Sequence, residues 1–97
     1  MVRHIVIWNF TQELENEEKE NAAAKIKTEL ESLQGKIPGL LSVEVVIAPF
    51  DSSTHDIALF TSFESVDALQ AYQIHPEHLK AVGFVRSVTC NRVCFDY

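Results

Sequence analysis

Over its first ten residues the chain is nearly continuously apolar. Val2 to Phe10 reads V-R-H-I-V-I-W-N-F, β-branched and aromatic, which predicts a strand. The period then changes. Asn16, followed by Glu17 and Glu18, suits an N-cap with acidic residues in the first helical turn. Ala22, Ala23, Ile26, Leu30, Leu33 and Ile37 recur at three- and four-residue steps, while Glu18, Lys25, Lys27, Glu29 and Glu31 form the charged face of the same helix. Gly35 and Pro38-Gly39 end it. Leu41 to Ala48 returns to period two, with Leu41, Val43, Val45 and Ile47 on one side of a second strand. Pro49 to Asp56 is a polar connection, too long for a tight hairpin. Ile57 to Phe63 predicts a third strand, and Ser65 an N-cap for a short helix carrying Leu69 and Tyr72. Pro76 opens a further helical turn with Leu79, Val82 and Phe84 facing inward, and Val88 to Tyr97 is the last strand.

Strand, helix, strand, strand, helices, strand is the order of two strand–helix–strand units side by side. It predicts an α+β fold: a ferredoxin-like βαββαβ protomer with a four-stranded antiparallel sheet and its helices on one face. There is no internal repeat or linker, so residues 1–97 form one domain. An antiparallel sheet with one wet face alternates cleanly between apolar and polar, and these strands do not. Ile5 and Ile7 lie on one side of the first strand, with His4, Val6, Trp8 and Phe10 on the other; Ile57, Leu59 and Phe63 oppose Ala58 and Phe60. The helices suffice to cover one face. Trp8, Phe10 and Phe60 left in water would form a patch that monomers rarely carry, so a homodimer paired sheet to sheet is expected.

Composition narrows the function classes. The net charge is −6, with the acidic excess between Glu13 and Glu31 and the basic residues scattered, which argues against nucleic acid and anionic membranes as partners. No apolar run approaches the ~20 residues that span a bilayer, and Val2 begins strand-like sequence without a signal-peptide layout. Cys90 and Cys94 lie four apart in one strand, their α-carbons ~13 Å apart, too far for a disulfide within the chain. Free thiols and a cytoplasmic location are expected.

The candidate chemistry gathers where one helix stops and the next starts. Tyr72 precedes His75-Pro76-Glu77-His78, placing a phenol near two imidazoles that titrate close to neutrality. His75 before Pro76 suits a helix cap. His75 and His78 lack further carboxylate or cysteine ligands at metal-site spacing, so no metal is expected.

Val2-Arg3-His4-Ile5-Val6, Ile37-Pro38-Gly39 with Leu41-Ser42-Val43-Glu44-Val45, Phe63-Glu64-Ser65, Ala68-Leu69-Gln70-Ala71-Tyr72, His75-Pro76-Glu77-His78 and the terminal Asp96-Tyr97 occur in an order that resembles the stress-responsive α/β-barrel (Dabb) domain family. The resemblance spans the whole chain. It implies a dimeric α/β barrel built from ferredoxin-like protomers, with no cofactor. One plant branch of the family includes a polyketide cyclase acting by aldol condensation, and the fold is similar to that of cofactor-free monooxygenases. The resemblance to the cyclase implies His78 as general base, Tyr72 assisting and His4 in the same pocket. That branch has a further histidine where Ile57 stands here, and His55 falls two residues short of it. The expected pocket lies in the barrel interior, with Trp8, Phe60 and His75 as candidate contacts for a small apolar or aromatic ligand. The function expected is ligand binding by a small homodimer, with lyase-type acid–base chemistry and cofactor-independent oxygenation as alternatives.

Overall fold

Period two sets β1 (Val2–Phe10) with His4, Val6, Trp8 and Phe10 all buried on one face, and Ile5 and Ile7 half-buried on the other. The computed structural model describes all of residues 1–97. The elements that follow are α1 (Asn16–Glu31), β2 (Leu40–Val46), β3 (Ile57–Phe63), α2 (Val66–Ile74), α3 (Pro76–Val88) and β4 (Thr89–Asp96). The sheet order is β2-β3-β1-β4, every neighbouring pair antiparallel. This is the predicted ferredoxin-like arrangement, with the helices on the face that carries Val6 and Trp8.

The predicted stripe of α1 is its buried face: Ala22, Ala23, Ile26 and Leu30 pack on the sheet, and Leu33 and Ile37 continue the core beyond the helix end. Glu15, rather than Asn16, is the N-cap. Its backbone N–H donates to Glu18 Oε1 at 2.9 Å, so a long acidic side chain closes the first turn one residue early. Glu31 pins α1 to the edge strand: its Oε2 accepts from Val45 N–H at 2.9 Å and from Lys27 Nζ at 2.7 Å. The Lys27 hydrogen bond, helped by that from Val45, holds the Glu31 carboxyl below its usual range.

Three local expectations are corrected. A register shift between Leu40 and Ser42 turns Leu40 inward and leaves Leu41 exposed, so Leu41 does not share a face with Val45. The segment after Pro76 is a 13-residue helix whose buried residues are Ala81 and Val85. Leu79 is exposed, and Phe84 is half-buried under the Lys25 ammonium, 4.0 Å from its ring centroid.

The third correction is the largest. Trp8 and Phe10 do not join Phe60 on one bare face. Residues directly opposite on paired strands project to the same side, and Trp8 pairs with Ile57 whereas Phe60 pairs with Ile5. Trp8 therefore lies beneath the helices, 7% exposed, while Phe60 projects from the other face, 40% exposed. That open face is nonetheless apolar. Ile5, Ile7, Val46, Ala58, Phe60, Val93 and Phe95 share it by register.

Gly39 marks a close approach that makes a test of this packing. Its φ is +82°, and a Cβ there would lie 2.6 Å from the Ala68 Cβ of α2. Left-handed strain of ~1–2 kcal/mol and overpacking of ~1–3 kcal/mol add in Gly39→Ala. Gly35, at φ +86° with nothing within 4 Å, carries the strain alone. Thermal melts should show Gly39→Ala losing about twice as much stability as Gly35→Ala; equal losses would remove the Gly39–Ala68 contact as the cause.

Candidate functional site: a cavity between the sheet and helix α3

Helix α3 begins where it does because His75 caps it. The His75 backbone is extended (φ −68°, ψ 136°), Nδ1 accepts from Glu77 N–H at 3.1 Å, and Pro76 occupies the first helical position. Ser65 caps α2 in the same way, its Oγ accepting from Ala68 N–H at 3.1 Å. His75 is thereby committed to the helix start. From that start, His78, Val82, Val85 and Arg86 follow at three- and four-residue steps and share one helical face.

That face closes a cavity of about 310 Å³. Opposite it stand His4, Val6 and Trp8 of β1, Leu59 of β3 and Arg92 of β4; Leu30 of α1 and Gln73 of α2 complete the wall. The cavity lies within one protomer, between sheet and helices, and so not in the interior of a barrel closed by two sheets as expected. His4 faces the helices because it alternates in step with Val6 and Trp8. Phe60 is on the far side of the sheet and His75 is outside the lining, so of the three expected ligand contacts Trp8 alone borders the cavity. His55 lies near the open face instead, in a shallow depression with Ile7 and Phe60.

The three candidate acid–base residues come together, though unequally. His78 packs against the Tyr72 ring, centroids 4.2 Å apart and planes tilted by 42°, and His4 meets the same ring edge-on at 6.4 Å. Tyr72 is 1% exposed, and its hydroxyl is buried without a hydrogen-bond partner. Burial pushes the phenol up to about 12, so it stays protonated across the physiological range. It supports the His78 ring from below and does not line the cavity.

His78 Nδ1–H donates to the Gln73 carbonyl at 3.3 Å, which leaves Nε2 as the basic atom. Burial lowers the pKa of His78 from its ordinary 6.5; the Gln73 contact opposes this and the charges of His4, Arg86 and Arg92 add to it. The imidazole is neutral at neutral pH, the state a general base requires. A stability consequence has a definite sign. With the folded pKa below the unfolded one, the unfolded chain binds the extra proton, so stability is full above about pH 6.5 and declines as pH falls below it. Urea midpoints should drop between about pH 7 and about pH 5.5, and the drop should shrink in His78→Ala. An unchanged drop in that variant would place the titration elsewhere.

One partner lay beyond sequence reasoning. Asp96 Oδ1 accepts from His4 Nδ1–H at 2.5 Å, across 92 residues of sequence. The carboxylate holds a proton on His4 Nδ1 and fixes the ring orientation, with Nε2 on the opposite edge of the ring. Cross-strand register places it there, since His4 and Asp96 are directly paired. Cys94 is the third member of this cluster; its Sγ, His4 Nδ1 and the Asp96 carboxylate lie within 4.8 Å of one another. Burial first, then hydrogen bonding and charge from Asp96, push the Cys94 thiol up, so it stays a protonated thiol at neutral pH.

Arg92 was also missed, for a different reason. β4 shifts register between the Ile7–Val93 and Asn9–Cys90 pairs, with Asn91 at φ +54°. This bulge sets two residues opposite Trp8 and brings Arg92 to the cavity wall. Cys90 and Cys94 are both free.

Fold and site together define a ferredoxin-like α+β protein with a small, mainly apolar cavity walled by two imidazoles. The family model for the Stress responsive A/B Barrel Domain (Dabb) matches residues 2–97, and the chain belongs to that family. Among solved structures, a dimeric protein of unknown function with ferredoxin-like fold from Bacteroides fragilis is similar over 99% of this chain and 93% of its own, with TM-score 0.92 and 31% identity. A dimeric ferredoxin-like protein of unknown function from Thermobifida fusca matches over 99% and 88%, with TM-score 0.83 and 22% identity. Hydroxynitrile lyase from Passiflora edulis matches over 99% and 90%, with TM-score 0.74 and 18% identity. The last two share the fold alone. No curated protein matches the chain. No helix is long and apolar enough to cross a membrane.

Proposed function

We propose that this protein is a cytoplasmic homodimer that binds a small, largely apolar ligand in the His4–His78 cavity and acts on it by proton transfer, in the manner of a lyase or cyclase. One observation carries the reading: an uncharged, desolvated imidazole (His78) and a carboxylate-oriented imidazole (His4–Asp96) border the same apolar cavity. Removing a proton beside a carbonyl requires a base poised below or near the working pH and a second group to steady the enolate oxygen. In this reading His78 Nε2 takes the proton and His4 is the second group. No metal or cofactor is assigned a role.

The open sheet face supports the dimer. Its apolar residues have no cover within the protomer, and the similar proteins from Bacteroides fragilis and Thermobifida fusca are described as dimeric. Two free thiols support a reducing compartment.

The test uses 2-tetralone, an aromatic ketone with an exchangeable C1–H, as probe. Protein in D₂O should accelerate its hydrogen–deuterium exchange, followed by NMR, above the buffer rate. A second reading, binding without turnover, is favoured by the Tyr72 hydroxyl, which is buried away from the cavity and unable to touch a ligand there. Binding of 2-tetralone with exchange at the buffer rate would establish that reading instead.

A further inference from the structure

The chain carries 14 acidic side chains and 8 Lys or Arg. Its cavity reverses that balance. Among the residues lining it there is no Asp or Glu, and the two permanently charged ones are both arginines, Arg86 from α3 and Arg92 from the β4 bulge. Neither guanidinium has a carboxylate partner. The ion pairs of the protein are His4–Asp96, Lys27–Glu31 and Lys80–Glu77. Asp96, behind the His4 ring, is already engaged by His4.

Two unneutralised cations beside a catalytic base carry a cost. Both oppose protonation of His78, and two like charges on one cavity wall repel each other even where solvent reaches them. A bound anion would offset that cost. Arginine supplies it through a planar fork that matches a carboxylate with two parallel N–H···O bonds. The rest of the wall (Val6, Trp8, Val82 and Val85) offers apolar and aromatic surface with no fixed charge.

We propose that the ligand of this cavity is a small aromatic or aliphatic carboxylate, its apolar body against Trp8 and its carboxylate on Arg86 and Arg92. The proposal rests on the reading of this cavity as the ligand site and adds the chemical class of what enters. The arginines are placed to select by charge, while His78 acts at the other end of the ligand. Their positions follow from the fold: Arg86 stands two helical turns after His78 on the same face of α3, and the bulge at Asn91 sets Arg92 against Trp8.

The test compares 2-naphthoate with 2-naphthamide, a neutral molecule of nearly the same shape. Trp8 is the single tryptophan, so its indole N–H resonance in a ¹H–¹⁵N spectrum reports occupancy of this cavity alone. In titrations the carboxylate should bind about tenfold or more tightly than the amide, with a preference that weakens as salt rises. In the Arg86→Gln/Arg92→Gln double variant the preference should fall to about twofold or less, with amide affinity unchanged. Both side chains are solvent-exposed, so the variant keeps the fold, which its melting curve checks. Equal affinity of the two probes in the parent protein, or a preference that survives in the double variant, overturns the proposal while leaving His78-dependent exchange of 2-tetralone untouched. A carboxylate preference without any such exchange sustains the proposal and removes the catalytic reading. A Trp8 resonance unmoved by either probe overturns it together with the cavity as ligand site.

Discussion

Phe60→Asp is expected to convert the protein from a dimer to a monomer of 11.0 kDa in sedimentation equilibrium. Phe60 sits on β3, inside the sheet, and its cross-strand neighbours on the open face are Ile5 and Glu44. In a two-fold dimer the substitution occurs twice, and each unpaired carboxylate buried in the interface costs about 3–5 kcal/mol. Together that raises the dissociation constant by about four orders of magnitude or more. The protomer should stay folded, because Phe60 is 40% exposed and takes no part in the core under the helices. Ile74→Asp is the control: Ile74 is more exposed, at 75%, but ends α2 on the other side of the sheet, and its replacement should leave the dimer intact. A monomeric parent protein at micromolar concentration, or a Phe60→Asp variant that stays dimeric, would remove sheet-to-sheet pairing from the account.

His78→Ala is expected to lower catalysed exchange of 2-tetralone by about 10²–10⁴-fold, the range a positioned general base contributes. Because the base must be neutral, the parent rate should be flat above about pH 6.5 and fall at lower pH, with the midpoint below the ordinary imidazole value. Tyr72→Phe separates this geometry from one in which the phenol assists directly. The Tyr72 hydroxyl is buried and unpartnered, so removing it should relieve an unsatisfied polar group and leave the protein no less stable, with activity changed little. A loss in Tyr72→Phe as large as that in His78→Ala would mean that the phenol reaches the ligand, and that the cavity reorganises to admit it. Full activity in His78→Ala would end its role as base.

The elements were legible because each announces itself locally. The three-to-four-residue recurrence from Ala22 to Leu30, the Ser65 and His75 caps and the Pro76 start all depend on neighbours within a turn, and all appear where the pattern puts them; α1 stops at Glu31, short of the Gly35 end the pattern suggested. The end of α2 and the start of α3 likewise brought Tyr72 and His78 into contact, since six residues of helix and cap leave few alternatives. Errors arose where the answer depended on two distant segments at once. Alternation in β1 separates Trp8 from Ile5, and alternation in β3 separates Phe60 from Leu59, but neither pattern says which face of one strand meets which face of the other. Register decides that, and it set Trp8 and Phe60 on opposite sides.

By itself, then, the sequence determined the order of strands and helices, the buried stripe of α1 and the crowding of imidazole and phenol around the α2–α3 break, because propensity, capping and period act over a few residues. Tertiary structure alone decided that the apolar cavity lies between sheet and helices, that Asp96 orients His4, and that a bulge delivers Arg92 to its wall. Those facts follow from strand pairing and register, which join residues as far apart as His4 and Asp96 and leave no mark in local pattern.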